Sequence, residues 1–327
     1  MKLSVIVPVY NGENTIEKCL LSIIGQDYPD VEIVIVNDGS TDKSKSIIDK
    51  IILENPDSNI KLINKQNQGL PQARKTGVEN SNGEYIGFVD ADDWIESDMY
   101  SVMMLKASKQ DSDIVCCDVF YDFPASTDNH IQKSVSKVPM SGRQALLLLN
   151  NRKAVYASCW NKIVKKELYR FVEFPRNNLI GEDYIVTRQL LLNASKVSIV
   201  NHLGYHYVQH NGSMVHNGFN DSRKNGFFNY RKILEETYLT KDKELIDSTD
   251  NYIINEFLVI AISMVENEKY DQEIIKWIKE YTKKRIVKIF RNKDNSLLYK
   301  FSCILFLMNS RLLGRLFLFY NRFKNNL

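Results

Sequence analysis

Four short runs of β-branched and apolar residues alternate with helical patterns over the first 90 positions, and this alternation constrains the fold more than any other feature of the chain. The runs are Leu3 to Val9, Val31 to Val36, Ile60 to Ile63 and Tyr85 to Val89. Each is too short for a helix and is bounded by turn residues, so each reads as a strand buried on both faces. Between them Ile16, Leu20, Ile23 and Ile24, then Ile47, Ile48, Ile51 and Ile52, recur at helical spacing, and Pro71 to Glu79 supplies a third helix. Parallel strands need crossover connections, so a β-α-β-α-β-α-β order with short links predicts a doubly wound α/β sheet.

Ligands of such sheets bind beyond the carboxyl ends of the strands. The loops there read Tyr10-Asn-Gly12, Asn37-Asp-Gly-Ser-Thr-Asp42, Asn64-Lys-Gln-Asn-Gln-Gly69 and Asp90-Ala-Asp-Asp93, all polar and two of them acidic. The chain has no G-x-G-x-x-G after its first strand and no G-x-x-x-x-G-K-[ST] anywhere, which excludes the dinucleotide and P-loop signatures. Asp90 and Asp92, two residues apart at a strand end, converge only where the chain turns. Hard divalent cations take oxygen ligands, and Mg²⁺ or Mn²⁺ is held by one or two carboxylates plus substrate phosphates. The alternative is that Asp92 and Asp93 merely cap the next helix.

Further along, a helix is expected from about Ser97 to Lys109, a strand from Asp113 to Val119, and a long loop or hairpin from Asp122 to Pro139. Ser141 caps a helix to Leu149, another helix runs from Glu182 through Leu192, and short strands follow at Lys196 to Val200 and Gly204 to Gln209. After Asn217 strand signals stop and helical periodicity takes over. The boundary falls near Val215, giving residues 1–215, with halves 1–95 and 96–215, and a helical region 216–327. A composition of 44% hydrophobic and 25% charged residues is enough for a packed core, and a net charge of +3 does not point to nucleic acid. Cys19, Cys116, Cys117, Cys159 and Cys303 are odd in number and irregularly spaced, so they read as reduced. Met1 to Val9 contains Pro8 and lacks a cleavage site, and reads as the first strand rather than a targeting segment.

Five motifs occur in order: Val5-Ile-Val-Pro-Val-Tyr-Asn-Gly12, Val34-Ile-Val-Asn-Asp-Gly-Ser-Thr-Asp42, Asn67-Gln-Gly-Leu-Pro-Gln-Ala-Arg-Lys-Thr-Gly77, Gly83-Glu-Tyr-Ile-Gly-Phe-Val-Asp-Ala-Asp-Asp93 and Gly181-Glu-Asp183. Across about residues 3 to 215 this series resembles the family 2 glycosyltransferases of the GT-A fold, in particular those of bacterial surface polysaccharides. The resemblance implies a Rossmann-like nucleotide-diphospho-sugar transferase domain followed by the helical C-terminal region. It implies donor contacts from Pro8, Val9, Tyr10, Asn11, Asp38, Asn67, Arg74, Asp90, Ala91 and Asp92, with Asp38 accepting the uracil N–H and Arg74 near the nucleotide. By the same resemblance Asp92 binds Mn²⁺ or Mg²⁺ directly, and Asp90 contacts ribose or the metal through water. Asp183 is the general base of an inverting transfer, with Glu182 as the alternative base.

Trp160-Asn-Lys162 resembles a family element that shapes the acceptor and donor-sugar pocket, although a buried core Trp160 is an equal reading. Tyr205 to Ser213 resembles a segment where relatives carry a basic diphosphate clamp. Here Val208 and His210 stand at the basic positions, leaving His210 as a metal or phosphate candidate with Ser213 beside it. The implied reaction moves a sugar from a UDP-sugar to a hydroxyl of a saccharide or lipid-linked saccharide, in capsule, exopolysaccharide or other cell-surface glycan synthesis, in the cytoplasm at the inner face of the cell membrane. The alternatives are a catalytically inactive scaffold subunit of a glycan-synthesis complex, and a pyrophosphorylase, whose Gly-rich basic signature the chain lacks.

In the tail, Lys300, Arg311, Arg315 and Arg322 fall within about 60° of one another at 100° per residue, amid Leu298, Phe301, Leu305, Met308, Leu312, Leu316, Phe319 and Phe323. A single basic amphipathic helix at an anionic membrane surface is the expectation. A helix packed on the protein, or on a second subunit of a homo-oligomer, is the alternative.

Overall fold

The computed structural model describes residues 1–123, 130–132, 138–176, 179–209, 219–266 and 268–325. The chain divides into two compact units, Met1–Leu149 with Lys153–Asn211, and Asn150–Arg152 with Gly212–Leu327.

The first unit opens with the expected alternation: β1 (Leu3–Val9), α1 (Ile16–Ile24), β2 (Val31–Asp38), α2 (Ser44–Glu54), β3 (Ile60–Lys65), α3 (Leu70–Glu79) and β4 (Tyr85–Phe88). It continues with β5 (Trp94–Ile95), α4 (Met99–Gln110), β6 (Ile114–Asp122), β7 (His130–Gln132), α5 (Gly142–Asn150), β8 (Lys162–Lys165), a 3₁₀ turn (Lys166–Phe171), α6 (Glu182–Asn193) and β9 (Val197–Val208). The described strands form one sheet in the order β3-β2-β1-β4-β8-β6-β9-β5, with β7 against β6. Strands β3, β2, β1 and β4 run parallel, β8 is antiparallel to both β4 and β6, and β6 and β9 are again parallel. Every residue of β1 is buried, as its unbroken apolar run requires. Helix α1 covers the sheet with Ile16, Cys19, Leu20 and Ile23. Helix α3 lies so close to β1 that a Cβ at Gly77 would sit 2.2 Å from Ile6 Cγ2.

Two expectations change. The two short strands drawn at 196–209 are one strand, β9, which stays paired with β6 across register shifts between Cys116 and Val119. Exposed Asn201 interrupts its apolar pattern without ending the ladder. Strand β8 was not anticipated, because four residues flanked by Lys162 and Lys165 carry too little periodicity. The described cysteines are all buried and unbridged.

The second unit is helical: α7 (Asp221–Leu239), α8 (Lys243–Glu266), α9 (Gln272–Lys283), α10 (Ile286–Arg291), α11 (Leu297–Met308) and α12 (Ser310–Asn325). Asn220, Asp271 and Ser296 each accept a backbone N–H at a helix start, so side chains set these ends. Phe257 anchors the core among Phe227, Tyr230, Trp277 and Tyr281, mostly edge to face. The tail is not the single helix expected. Asn309 takes an extended conformation (φ −151°, ψ 96°), so Lys300 lies on a different helix from Arg311 and Arg315.

Candidate active site

The site assembles at the carboxyl ends of β1, β2 and β4. Pro8 and Val9 close β1, and Tyr10 stands exposed beyond it. Asn11 takes a left-handed conformation (φ 52°), an unusual cost for a non-glycine residue that Asn tolerates. Its backbone N–H donates to Ser40 Oγ at 3.1 Å and its Oδ1 accepts from Thr41 N at 2.8 Å. Gly12 N donates to Ser44 Oγ, Glu13 N to Asp42, and Lys43 N back to Glu13. The first two loops are thereby stitched into one rim.

Asp38 is buried and heavily committed. It accepts from Lys65 Nζ at 2.8 Å, from Gln68 N at 3.1 Å and from Gly69 N at 2.7 Å. This tie fixes the loop carrying exposed Asn67 and sets the start of α3, an organising role the sequence reading did not include.

The centre is Arg74. Its side chain is 2% exposed, and its two terminal nitrogens reach different acids: Nη1 donates to Asp183 at 2.5 Å, and Nη2 to Asp90 at 2.9 and 3.3 Å. Its Nε is buried with no hydrogen-bond partner among the described residues. Burial works against the charged guanidinium, but Asp183 and Asp90 overcome it and hold it firmly protonated. One residue of α3 thus joins the strand-tip acid to the acid that opens α6.

Burial pushes Asp90 up to about 6 against the pull of Arg74, with Asp183 and Asp92 adding repulsion. Ala91 occupies the turn, and Asp92 is exposed and accepts no hydrogen bond among the described residues. Asp93 does not cap a helix. It turns inward, accepting from Tyr205 Oη at 2.7 Å and Val208 N at 2.8 Å, while Asp90 N donates to Tyr205 Oη. Burial, with Asp90 and Asp92 beside it, pushes its carboxyl up to about 9. The knot of carboxylates therefore splits three ways: Asp93 pins the tip to β9, Asp90 turns to Arg74, and Asp92 faces outward.

Helix α6 begins behind Gly181 at φ 90°, a conformation that favours glycine, and carries Glu182 and Asp183 in its first turn. Burial first, and Asp183 second, push Glu182 upward from the ordinary carboxylate range. The Cys159 thiol bonds to Asp183 and is kept protonated by burial and that charge.

Trp160, Asn161 and Lys162 turn into the fold rather than toward an open pocket. Trp160 is buried, stacked on Tyr205 at 4.3 Å and Tyr207 at 5.2 Å. Asn161 Nδ2 donates to Cys117 O, and Lys162 Nζ donates to Asn161 Oδ1 and to the carbonyls of Tyr156 and Ser158. The buried Lys162 ammonium is satisfied by these carbonyl and amide oxygens, which braces the loop holding Cys159. Val208 meets Asp93 through its backbone, and His210 and Ser213 lie outside the described residues. Sequence reading missed the support beneath the tip. His206 stacks on Trp94 at 3.5 Å and contacts both Asp122 and Glu96, clamping β5 to β9 directly after Asp93. The position of Trp94 next to the acidic triplet was the available signal.

Among the described residues no three His, Cys, Asp or Glu side chains gather into a ligand set. Asp92 and Asp90 nevertheless offer hard oxygen donors, and two carboxylates fit Mg²⁺ or Mn²⁺ when phosphate oxygens complete the shell.

Comparison with known proteins identifies the family and the fold. The glycosyl transferase family 2 profile matches residues 4–172. Glycosyltransferase GlyA of Streptococcus pneumoniae is 36% identical over 223 residues, 65% of this chain and 31% of that protein. The cholesterol galactosyltransferase of Borreliella burgdorferi is 33% identical over 224 residues, 65% of this chain and 62% of that protein. The chain thus spans about one to two thirds of the length of these two relatives. Among solved structures, residues 1–349 of S. aureus TarS in complex with UDP-GlcNAc superimpose with a TM-score of 0.68 at 21% identity, covering 96% of this chain and 91% of that one.

Proposed function

The chain belongs to glycosyl transferase family 2, and from that premise we propose that it transfers a sugar, with inversion, from a UDP-sugar to a hydroxyl of a saccharide or lipid-linked saccharide in cell-surface glycan synthesis, in the cytoplasm at the inner face of the cell membrane. The observation that carries this reading is the buried guanidinium of Arg74 holding Asp90 and Asp183 together. One fork holding both carboxylates at a fixed separation supports a displacement between two bound substrates, which depends on holding the reacting groups in register. The TarS relative with UDP-GlcNAc supports the choice of a UDP-sugar, and GlyA and the galactosyltransferase support sugar transfer.

In this reading the rim of Pro8 to Asn11, with Asp38 and Asn67 on the facing loops, receives the nucleoside. Asp92, exposed and without a hydrogen bond among the described residues, would hold Mn²⁺ or Mg²⁺ with Asp90 beside it. The cation, when bound, neutralises charge on the departing diphosphate, so no protein acid is needed there. Asp183 takes the proton of the acceptor hydroxyl as that oxygen attacks the anomeric carbon opposite the diphosphate. Arg74 fixes the Asp183 carboxylate in place. Inversion of an α-linked donor gives a β-linked product.

The test is binding and turnover of a panel of UDP-sugars by the purified protein, with Mn²⁺ and with EDTA, beside Asp92→Asn. Metal-dependent UDP binding that Asp92→Asn abolishes, with UDP released from one sugar, supports the enzyme. Absence of nucleotide binding under every metal condition would move the scaffold reading to the front.

A further inference from the structure

Helices α11 and α12 pack inward through Cys303, Phe306, Leu313 and Gly314, the last against Val265 of α8. Their opposite faces carry large apolar side chains into solvent. On α11, Leu297, Phe301 and Met308 are 73%, 64% and 77% exposed, with Ile304 between them. These positions recur at the spacing of one helical stripe. On α12 the stripe resumes with Leu312, Leu316 and Phe319, the last 70% exposed. Soluble surfaces rarely expose a contiguous apolar area of this kind unless something covers it.

The charge around the stripe decides what that is. After Asp294 the sequence has no acidic residue, while Lys300, Arg311, Arg315, Arg322 and Lys324 are all basic. Lys300 flanks the α11 stripe, and exposed Arg311 and Arg315 flank the α12 stripe along one edge at 100° per residue. Two copies meeting through this face would bring cations against cations with no carboxylate on either helix to pair them, which is repulsive. An anionic surface supplies the missing charge. Among the described residues no helix is long and apolar enough to cross a membrane, so the face suits a helix pair lying in an interface rather than spanning it.

We propose that the outward face of α11 and α12 is a docking surface for an anionic lipid bilayer, with Leu297, Phe301, Met308 and Phe319 entering the acyl boundary and Lys300, Arg311 and Arg315 at the headgroups. The break at Asn309 lets each short helix present its stripe without a continuous amphipathic rod.

The full chain is sedimented with vesicles of phosphatidylcholine and with vesicles containing phosphatidylglycerol. The protein pellets with the anionic vesicles, and high salt weakens the association. Lys300→Glu with Arg315→Glu lowers the partition at least about tenfold, since each basic residue near such a surface counts for roughly 1 kcal/mol. Phe301→Ser with Met308→Ser lowers it by at least as much, and both variants keep the wild-type circular dichroism because the replaced side chains are at the surface. Asp183→Asn binds vesicles like wild type, so this result stands apart from the catalytic reading. Failure to pellet with either vesicle, equal binding to both, or a concentration-dependent dimer that the Phe301/Met308 variant splits would overturn the proposal.

Discussion

Each unit of the molecule contains an arginine among acids and aromatic rings, and the two groups are built to opposite ends. In the helical unit Asp250 is buried and receives Tyr281 Oη at 2.5 Å, Tyr238 Oη at 2.8 Å and Arg285 Nε at 2.7 Å. Donors outnumber carboxylates there, and Arg285 also lies over the Tyr281 ring at 3.4 Å. In the sheet unit one buried guanidinium faces Asp90 and Asp183, with Asp92 and Glu182 close by and one nitrogen unbonded among the described residues. Negative charge is in excess there. A cluster whose carboxylate is met by several donors holds helices together, whereas an under-compensated one at a strand tip invites a cation and a substrate.

Four substitutions break or sharpen that contrast. The largest effect is expected at Asp183→Asn, which removes the proposed base without changing shape. Turnover falls by about 10²- to 10⁴-fold while nucleotide affinity stays near wild type, and the melting temperature falls because the buried Arg74 guanidinium loses one of its two charged partners, as single-turnover assays, titration calorimetry and thermal melts would show; an active Asp183→Asn would transfer the base role to Glu182. Next, Arg74→Lys keeps the charge but cannot fork to two carboxylates. The expected outcome is a fall in kcat of roughly tenfold to a hundredfold, in line with small misplacements of reacting groups, with a smaller change in donor KM.

In the helical unit Asp250→Ala removes the carboxylate that Arg285 Nε and two tyrosine hydroxyls share. Stability drops by about 3 kcal/mol, the usual scale for breaking a buried pair, measured by urea unfolding, with activity per folded molecule unchanged. The smallest effect is at Glu182→Gln. Burial raises the folded-state affinity of Glu182 for its proton above that of the unfolded chain. Its contribution to stability is therefore present at low pH and lost as pH rises through the folded value. Thermal melts from acidic to mildly basic pH would show a flatter profile in the variant than in wild type.

The strand-tip acids were legible because the chemistry sits in contiguous residues: Asp90, Asp92 and Asp183 each stand at the end or start of an element whose period the sequence reveals. The Arg74 bridge was not, since it joins α3, the end of β4 and α6, three elements whose approach no local pattern encodes. Asn161 and Lys162 look like substrate ligands in one dimension because polar residues beside a tryptophan suggest a pocket. Their inward turn depends on β8 pairing with β4 and β6. The tail misled for another reason: Asn309 breaks the helix without a Gly or Pro to announce it, so the periodicity reads straight through.

Gly77 sits one helical turn beyond Arg74 on the face of α3 that meets β1, and a methyl group there would have to occupy space already held by Ile6. The reach of the guanidinium to Asp90 and Asp183 is consequently a matter of clearance: the thickness of one hydrogen atom lets the helix settle onto the sheet. Alanine at this position would act as a shim, lifting the helix and carrying the fork out of range of both acids, so a residue with no functional group gauges the spacing of the reaction.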